Sequence, residues 1–169
     1  QETFTLRGHT DWVTTVTVTP DGKQVISGSF DKTIKVWSLA TGLEVATLVG
    51  HSGWVKALAV TPDGKRLISG SFDNTIKVWS LETERELFTL NGHTDWVSSV
   101  AVTSDGNLVI SGSDDNTLKV WDLETQKVIA SFTGENSLEC CAVAADEVQI
   151  IVGEASGRVH FLKLESYNK

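Results

Sequence analysis

The chain repeats itself every 42 residues, and that period constrains its fold more than any other feature. Gly8-His9 recurs as Gly50-His51 and Gly92-His93, and Gly134-Glu135 takes the same step. Inside each copy the same words return. Ser27-Gly28-Ser29-Phe30-Asp31 becomes Ser69-Gly70-Ser71-Phe72-Asp73 and then Ser111-Gly112-Ser113-Asp114-Asp115. Ile34-Lys35-Val36-Trp37 becomes Ile76-Lys77-Val78-Trp79 and Leu118-Lys119-Val120-Trp121. A unit repeated at a fixed spacing of this size is one supersecondary module that buries its apolar faces only against its neighbours.

Each copy reads as four strands. In the first, Val13 to Thr19 is rich in β-branched residues, which suit a pleated, half-buried surface. Thr19-Pro20-Asp21-Gly22 is a tight turn, because proline presets φ and glycine accepts positive φ. Gln24 to Ser29 is the second strand and Phe30-Asp31-Lys32 turns the chain. Thr33 to Leu39 is the third strand, Thr41-Gly42 turns again, and Leu43 to Leu48 is the fourth. No segment carries a 3.6-residue apolar period. The expected class is all-β, with one domain over 1–169 in repeats of about 1–42, 43–84, 85–126 and 127–169. A four-stranded sheet with two apolar faces buries both when such sheets stack radially, which is a β-propeller.

At this point the residues resemble the WD40 repeat family along nearly the whole chain. The resemblance rests on Gly-His, then Pro-Asp-Gly or Ser-Asp-Gly, then Ser-Gly-Ser-x-Asp-x-Thr, then an aliphatic-Lys-Val-Trp strand, all at one period. The Trp-Asp pair that names the family stands at Trp121-Asp122; the other two blades carry Trp37-Ser38 and Trp79-Ser80. The highly similar repeats are like those of the bacterial type, such as the C-terminal sensor domains of NLR-like signalling NTPases. The resemblance implies a structural hydrogen-bond chain in each of three blades: His9, Ser27, Asp31 and Trp37; His51, Ser69, Asp73 and Trp79; His93, Ser111, Asp115 and Trp121. In such a chain an indole N–H donates to a serine, the serine to a histidine, and the histidine to a carboxylate. The fourth repeat departs at every member, with Glu135, Val152, Ser156 and Leu162 in the four places. It is expected to be a C-terminal cap held by Val143, Ile150, Ile151, Val159, Phe161 and Leu164.

His, Ser and Asp are also the residue types of a hydrolase triad. Three features oppose that reading: the set occurs three times, each serine faces a tryptophan donor, and no Gly-x-Ser-x-Gly elbow is present. The expectation is no catalytic residue, no enzyme and no cofactor. The histidines fall one per repeat and so ring the disc instead of converging on a metal, and His160 reads as a surface or packing residue. Cys140 and Cys141 are adjacent strand neighbours that point to opposite faces, in keeping with a reducing cytoplasm.

Function is therefore expected in the loops. By the resemblance, partners meet the face that carries the loops before the first strand and the turns between the second and third. Those places hold Trp12, Trp54 and Trp96, with Phe30, Phe72 and Asp114 in the turns. Large exposed rings supply binding hot spots, and each Trp could equally cover its own blade or wedge against the next. The expected partner is a protein. A formal net charge of -8 with no basic run opposes nucleic acid, although Asp11, Asp21, Asp95 and Asp105 would suit a basic protein. No stretch approaches the ~20 apolar residues of a membrane span, and no leader pattern is present. The start at Gln1 fits a piece of a longer chain.

Strand counting adds one more expectation. Thr3 to Leu6 reads as a lone fourth-type strand, and the last repeat ends on an inner three, Arg158 to Leu164 closing it. Exchange of the first strand between two chains would complete the last blade of each, giving an eight-bladed ring as a homodimer. A four-bladed monomer satisfies the same count, and upstream blades are a third way to cover the edge. The alternative function is then a structural oligomerisation module instead of a ligand-sensing scaffold.

Overall fold

The computed structural model describes residues 5–144 and 149–164. Among these residues it holds fifteen strands and no helix. The first sheet is β1 (Val13–Val18), β2 (Gln24–Ser29), β3 (Thr33–Ser38) and β4 (Glu44–Val49). The second is β5 (Val55–Val60), β6 (Arg66–Ser71), β7 (Ile76–Ser80) and β8 (Arg85–Leu90). The third is β9 (Val97–Val102), β10 (Leu108–Ser113), β11 (Thr117–Asp122) and β12 (Lys127–Thr133). The fourth has three strands, β13 (Leu138–Val143), β14 (Gln149–Glu154) and β15 (Val159–Lys163). Each sheet is an antiparallel meander in chain order. These four sheets are the all-β blades expected from the repeat.

The turns explain the meander. Gly22, Gly64 and Gly106 take φ of 69°, 70° and 73° in the turns between the first two strands of each blade, a region open to glycine at low cost. Thr19 Oγ1 donates to Asp21 Oδ1 at 2.7 Å and Lys23 N donates to the same oxygen at 3.0 Å. The turns between the second and third strands place Lys32, Asn74 and Asn116 at positive φ of 69°, 69° and 64°. Asp31 holds the first of them by accepting from Thr33 N at 2.9 Å.

The core lies between blades, not within them. Ile26, Ile34, Val36 and Leu48 of the first blade pack on Val55, Leu67 and Trp79 of the second. Ile68, Ile76, Val78 and Leu90 pack on Val97, Val109, Trp121 and Leu123 of the third. Ile110, Leu118 and Val120 pack on Leu138, Ile150 and Val152 of the fourth, with Val143, Leu162 and Leu164 alongside.

The fourth blade corrects one expectation. Val159 and Phe161 are exposed, not core. Side chains alternate across a strand, and β15 turns His160, Leu162 and Leu164 toward the third blade instead. The strand expected at Thr3 to Leu6 lies partly outside the described residues, at Thr3 and Phe4. Thr5 and Leu6 are described and belong to no strand. Among the described residues no helix is long and apolar enough to cross a membrane.

Candidate functional site

Three hydrogen-bond chains join the loop before each blade to the turn between its second and third strands. In the first blade Trp37 Nε1 donates to Ser27 Oγ at 2.8 Å, His9 Nε2 lies 2.8 Å from the same oxygen, and His9 Nδ1 lies 2.7 Å from Asp31 Oδ2. In the second the distances are 2.8 Å from Trp79 to Ser69, 2.7 Å from Ser69 to His51 and 2.8 Å from His51 to Asp73. In the third, Trp121, Ser111, His93 and Asp115 repeat them at 2.8, 2.7 and 2.8 Å. An ionised aspartate fixes the tautomer: Nδ1–H donates to the carboxylate, so Nε2 accepts from the serine hydroxyl.

The carboxylates are well suited to that state. Burial alone would raise the Asp115 carboxyl, but Thr117 Oγ1, the backbone N–H of Thr94 and His93 donate to it and hold it at about 2. The same balance holds Asp31 and Asp73 well below the usual range, against the push of burial. Burial is the larger effect on His93 and lowers its pKa despite Asp115 beside it. Ser69 and Ser111 are fully buried and each already accepts from an indole, so no path leads a substrate to either hydroxyl. Among the described residues no group of three His, Cys, Asp or Glu side chains could hold a metal ion.

The fourth blade rebuilds this chain with a residue that the repeat pattern did not single out. Glu154, at the place of Ser29, Ser71 and Ser113, is buried. Its Oε1 accepts from Glu135 N at 2.6 Å and Asn136 N at 2.8 Å, and Ser156 Oγ donates to Oε2. These donors, Ser156 foremost, hold its carboxyl at about 2. Arg158 bridges outward to Glu135 at 2.5 Å. The network of this blade is thus replaced, not lost. The signal in the sequence was a carboxylate displaced by two places, Gly153-Glu154 where the other blades read Gly-Ser.

On the same end of the blades the loop aromatics join into a single ladder. Trp12 stacks on Phe30 with ring centroids 5.7 Å apart, Phe30 on Trp54 at 3.9 Å, and Phe72 on Trp96 at 4.1 Å. Trp54 and Phe72 close the middle step at 5.4 Å with a 38° tilt. Each Phe is tied to the Trp of its own blade by a backbone bond: Phe30 N donates to Trp12 O and Phe72 N to Trp54 O, both at 2.9 Å. The rings therefore wedge between neighbouring blades while keeping exposed edges. Trp12 is 75% exposed, Trp54 40% and Trp96 44%. A shallow hollow of about 250 Å³ lies over Lys32, Ser52, Gly53, Trp54, Phe72 and Trp96.

Asp114 does not join the ladder. It stands in the Phe30 and Phe72 place and accepts from Ser98 Oγ at 2.7 Å, which ends the run at Trp96. In the fourth blade the two places hold Ser137 and Ala155, joined by the same backbone bond at 2.9 Å. Asp11 and Asp95 share the ladder's end of the blades. Asp21 and Asp105 lie in the opposite turns, where Asp21 caps its own turn, so those two add no charge near the rings.

The comparisons fit this geometry. The sequence profile of the WD domain, G-beta repeat, matches residues 1–38, 42–80 and 84–122. The ribosome biogenesis protein BOP1 homologs of Drosophila grimshawi and Drosophila melanogaster are each 54% identical to it over 41 residues. That stretch is 24% of this chain and 5% of either relative, one repeat's worth. With three matched repeats along the larger part of the sequence, each built around the same Trp-Ser-His-Asp chain, this protein belongs to the WD40 repeat family.

Proposed function

We propose that this chain is a non-catalytic scaffold that captures a protein partner on its aromatic ladder. The observation that carries the reading is the run Trp12–Phe30–Trp54–Phe72–Trp96, five rings held in register across three blades with their tryptophans open to solvent. Interfaces draw most of their energy from such anchored aromatics, and these are preorganised, so little order is lost on binding. A basic partner suits the net charge of -8 and the nearby Asp11 and Asp95. WD40 repeats generally mediate protein–protein contact, and relatives named for ribosome biogenesis fit a scaffold role. In its finer form the module senses a protein ligand in the cytoplasm on behalf of an attached signalling NTPase.

The test is capture by the immobilised chain, comparing wild type with Trp54→Ala and Trp12→Ala of verified fold. Loss of a captured partner in both supports the reading; equal capture by all three overturns it.

A second reading, a module whose job is assembly, is favoured by a separate observation. Val13, Val16 and Val18 are exposed on the first blade, whereas Val55 and Val97 at the Val13 place are fully buried. Exchange of Thr3 to Leu6 between two chains, completing an eight-bladed ring, is the form this reading takes.

A further inference from the structure

We propose that two copies of this chain close head to tail, with blade one of each seated on blade four of the other through the seam the chain already uses three times internally. This deepens the assembly reading and rests on it.

The internal seam is a knob in a socket. The second strand of each blade carries a glycine, and the first-strand residue of the next blade fills the space where its side chain would be. A Cβ built on Gly28 would lie 2.6 Å from Val55 Cγ1, and one on Gly70 would lie 2.7 Å from Val97 Cγ1. One on Gly112 would lie 2.7 Å from the backbone oxygen of Leu138. The fourth glycine of the series is Gly153, whose built Cβ would meet only Cys140 Sγ of its own blade. The matching knob is Val13, which is 52% exposed although Val55, Val97 and Leu138 at the same place are 0% exposed. One chain therefore presents one free knob, Val13, and one glycine, Gly153, that no neighbouring blade covers and beside which only Cys140 Sγ of its own blade stands, 2.6 Å from the built Cβ.

The surrounding surfaces match in the same way. Val16 and Val18 of blade one are uncovered, while Leu58 and Val60 and then Val100 and Val102 at their places pack into the inter-blade cores. On blade four, Val159 and Phe161 occupy the places of Ile34 and Val36, and Phe161 is 75% exposed where Val36 is buried under blade two. A hollow of about 430 Å³ on blade one, lined by Leu6, Val13, Val16, Val25 and Trp37 among others, faces outward like the apolar side of blade four. The two free faces of one chain are both open to solvent, so they do not cover each other. Two copies joined head to tail make two identical seams and leave no such face uncovered, and eight blades lie within the usual ~4–8 range for propellers.

A polar detail points the same way. Among the described residues His160 Nε2 is a buried side-chain nitrogen with no hydrogen-bond partner, its nearest charged neighbour being Glu154 Oε2 at 3.8 Å. It stands on β15 at the place of Lys35 and Lys77. Lys35 Nζ donates to Glu44 and Thr47 of its fourth strand, and Lys77 Nζ to Glu86 and Thr89. A strand laid beside β15 from a second chain would offer His160 polar partners of the kind that Lys35 and Lys77 find on β4 and β8.

The test is the solution mass of the chain over a dilution series, for wild type, Val16→Asp, Phe161→Asp, and an equal mixture of the two variants. Both substituted positions are exposed, so circular dichroism is expected to be unchanged. The expected wild-type mass is two chains of 18.3 kDa. Each variant alone should dissociate at least ~10-fold more readily, about 1.4 kcal/mol. The mixture should recover a dimer, because one pairing keeps an unaltered Val16 face against an unaltered Phe161 face. A wild-type mass of one chain overturns both the assembly reading and this seam. A wild-type dimer that neither substitution weakens overturns the seam alone, and a dimer whose mixture shows no recovery overturns the head-to-tail arrangement. Trp54→Ala should leave the mass at two chains, which separates this inference from the ladder.

Discussion

Phe30 lies nearly parallel to Trp54 of the next blade, ring centroids 3.9 Å apart at 14°. The contact crosses a blade boundary, so the ladder is structural as well as exposed. Phe30→Ala should lower stability by about 1–3 kcal/mol, from lost burial and lost stacking on Trp12 and Trp54. Urea unfolding followed by tryptophan fluorescence would measure it. An unchanged midpoint would mean that the rings merely lie side by side.

Ser69→Ala should be costlier than its size suggests. It removes one hydroxyl but leaves Trp79 Nε1–H without an acceptor and His51 Nε2 without a donor, both in a buried setting. Each orphaned group costs roughly 1–3 kcal/mol. The measurement is again chemical denaturation, with Ser80→Ala as a partly exposed control expected to lie within about 0.5 kcal/mol of wild type.

Acid should unfold the protein in two stages. His93 has its pKa lowered from the ordinary value of 6.5, so the folded state resists a proton that the unfolded state accepts, and stability falls as pH drops below that value. Asp115, held at about 2, adds stability that is complete above the unfolded carboxylate range and is lost as pH falls toward 2. Asp31 and Asp73 act in the same direction. Thermal melts at decreasing pH should show a shallow decline below pH 6.5 and a steep one below about 4. A flat profile would remove the buried networks from the stability of the fold.

The two glycine classes should respond differently to alanine. Gly70→Ala drives a methyl to 2.7 Å from Val97 Cγ1, an overpacking cost of about 1–3 kcal/mol. Gly22 has φ of 69° with nothing within 4 Å of its built Cβ, so its alanine variant meets only backbone strain of about 1 kcal/mol. The melting temperatures of the two variants rank these effects.

The two neighbouring thiols should differ in reactivity. Cys140 is exposed, while burial pushes the Cys141 thiol up to about 11. The thiolate is the reactive form, so in the chain dissociated by dilution a maleimide at mildly alkaline pH should label Cys140 readily and Cys141 only after unfolding. Rapid labelling of both would contradict the packing of β13.

Much of this was legible because the repeat states each rule more than once. Lys23 to Ser29, Lys65 to Ser71 and Asn107 to Ser113 are read against one another, so the second strands and their turns follow from pattern alone. The Trp-Ser-His-Asp distances follow from the same residue types at the same spacing. Less legible was what happens where the pattern stops. Glu154 takes over a carboxylate's work from a place where the other blades carry serine, and no alignment by position finds it. Val159 and Phe161 read as core because they are apolar, yet strand parity turns them toward a side that no described blade covers. The ladder was visible only as separate rings, since the stacking of Phe30 on Trp54 depends on how two blades sit side by side.

Because every hydrophobic core is shared between two adjoining sheets, no sheet owns one. Copying a 42-residue segment therefore delivers a new sheet together with the boundary that secures it, and asks nothing of the sheets further away. Such a molecule can lengthen or shorten by whole units, and the wording shared by the first three units, Ser-Gly-Ser and Lys-Val-Trp in each, is what such growth would leave.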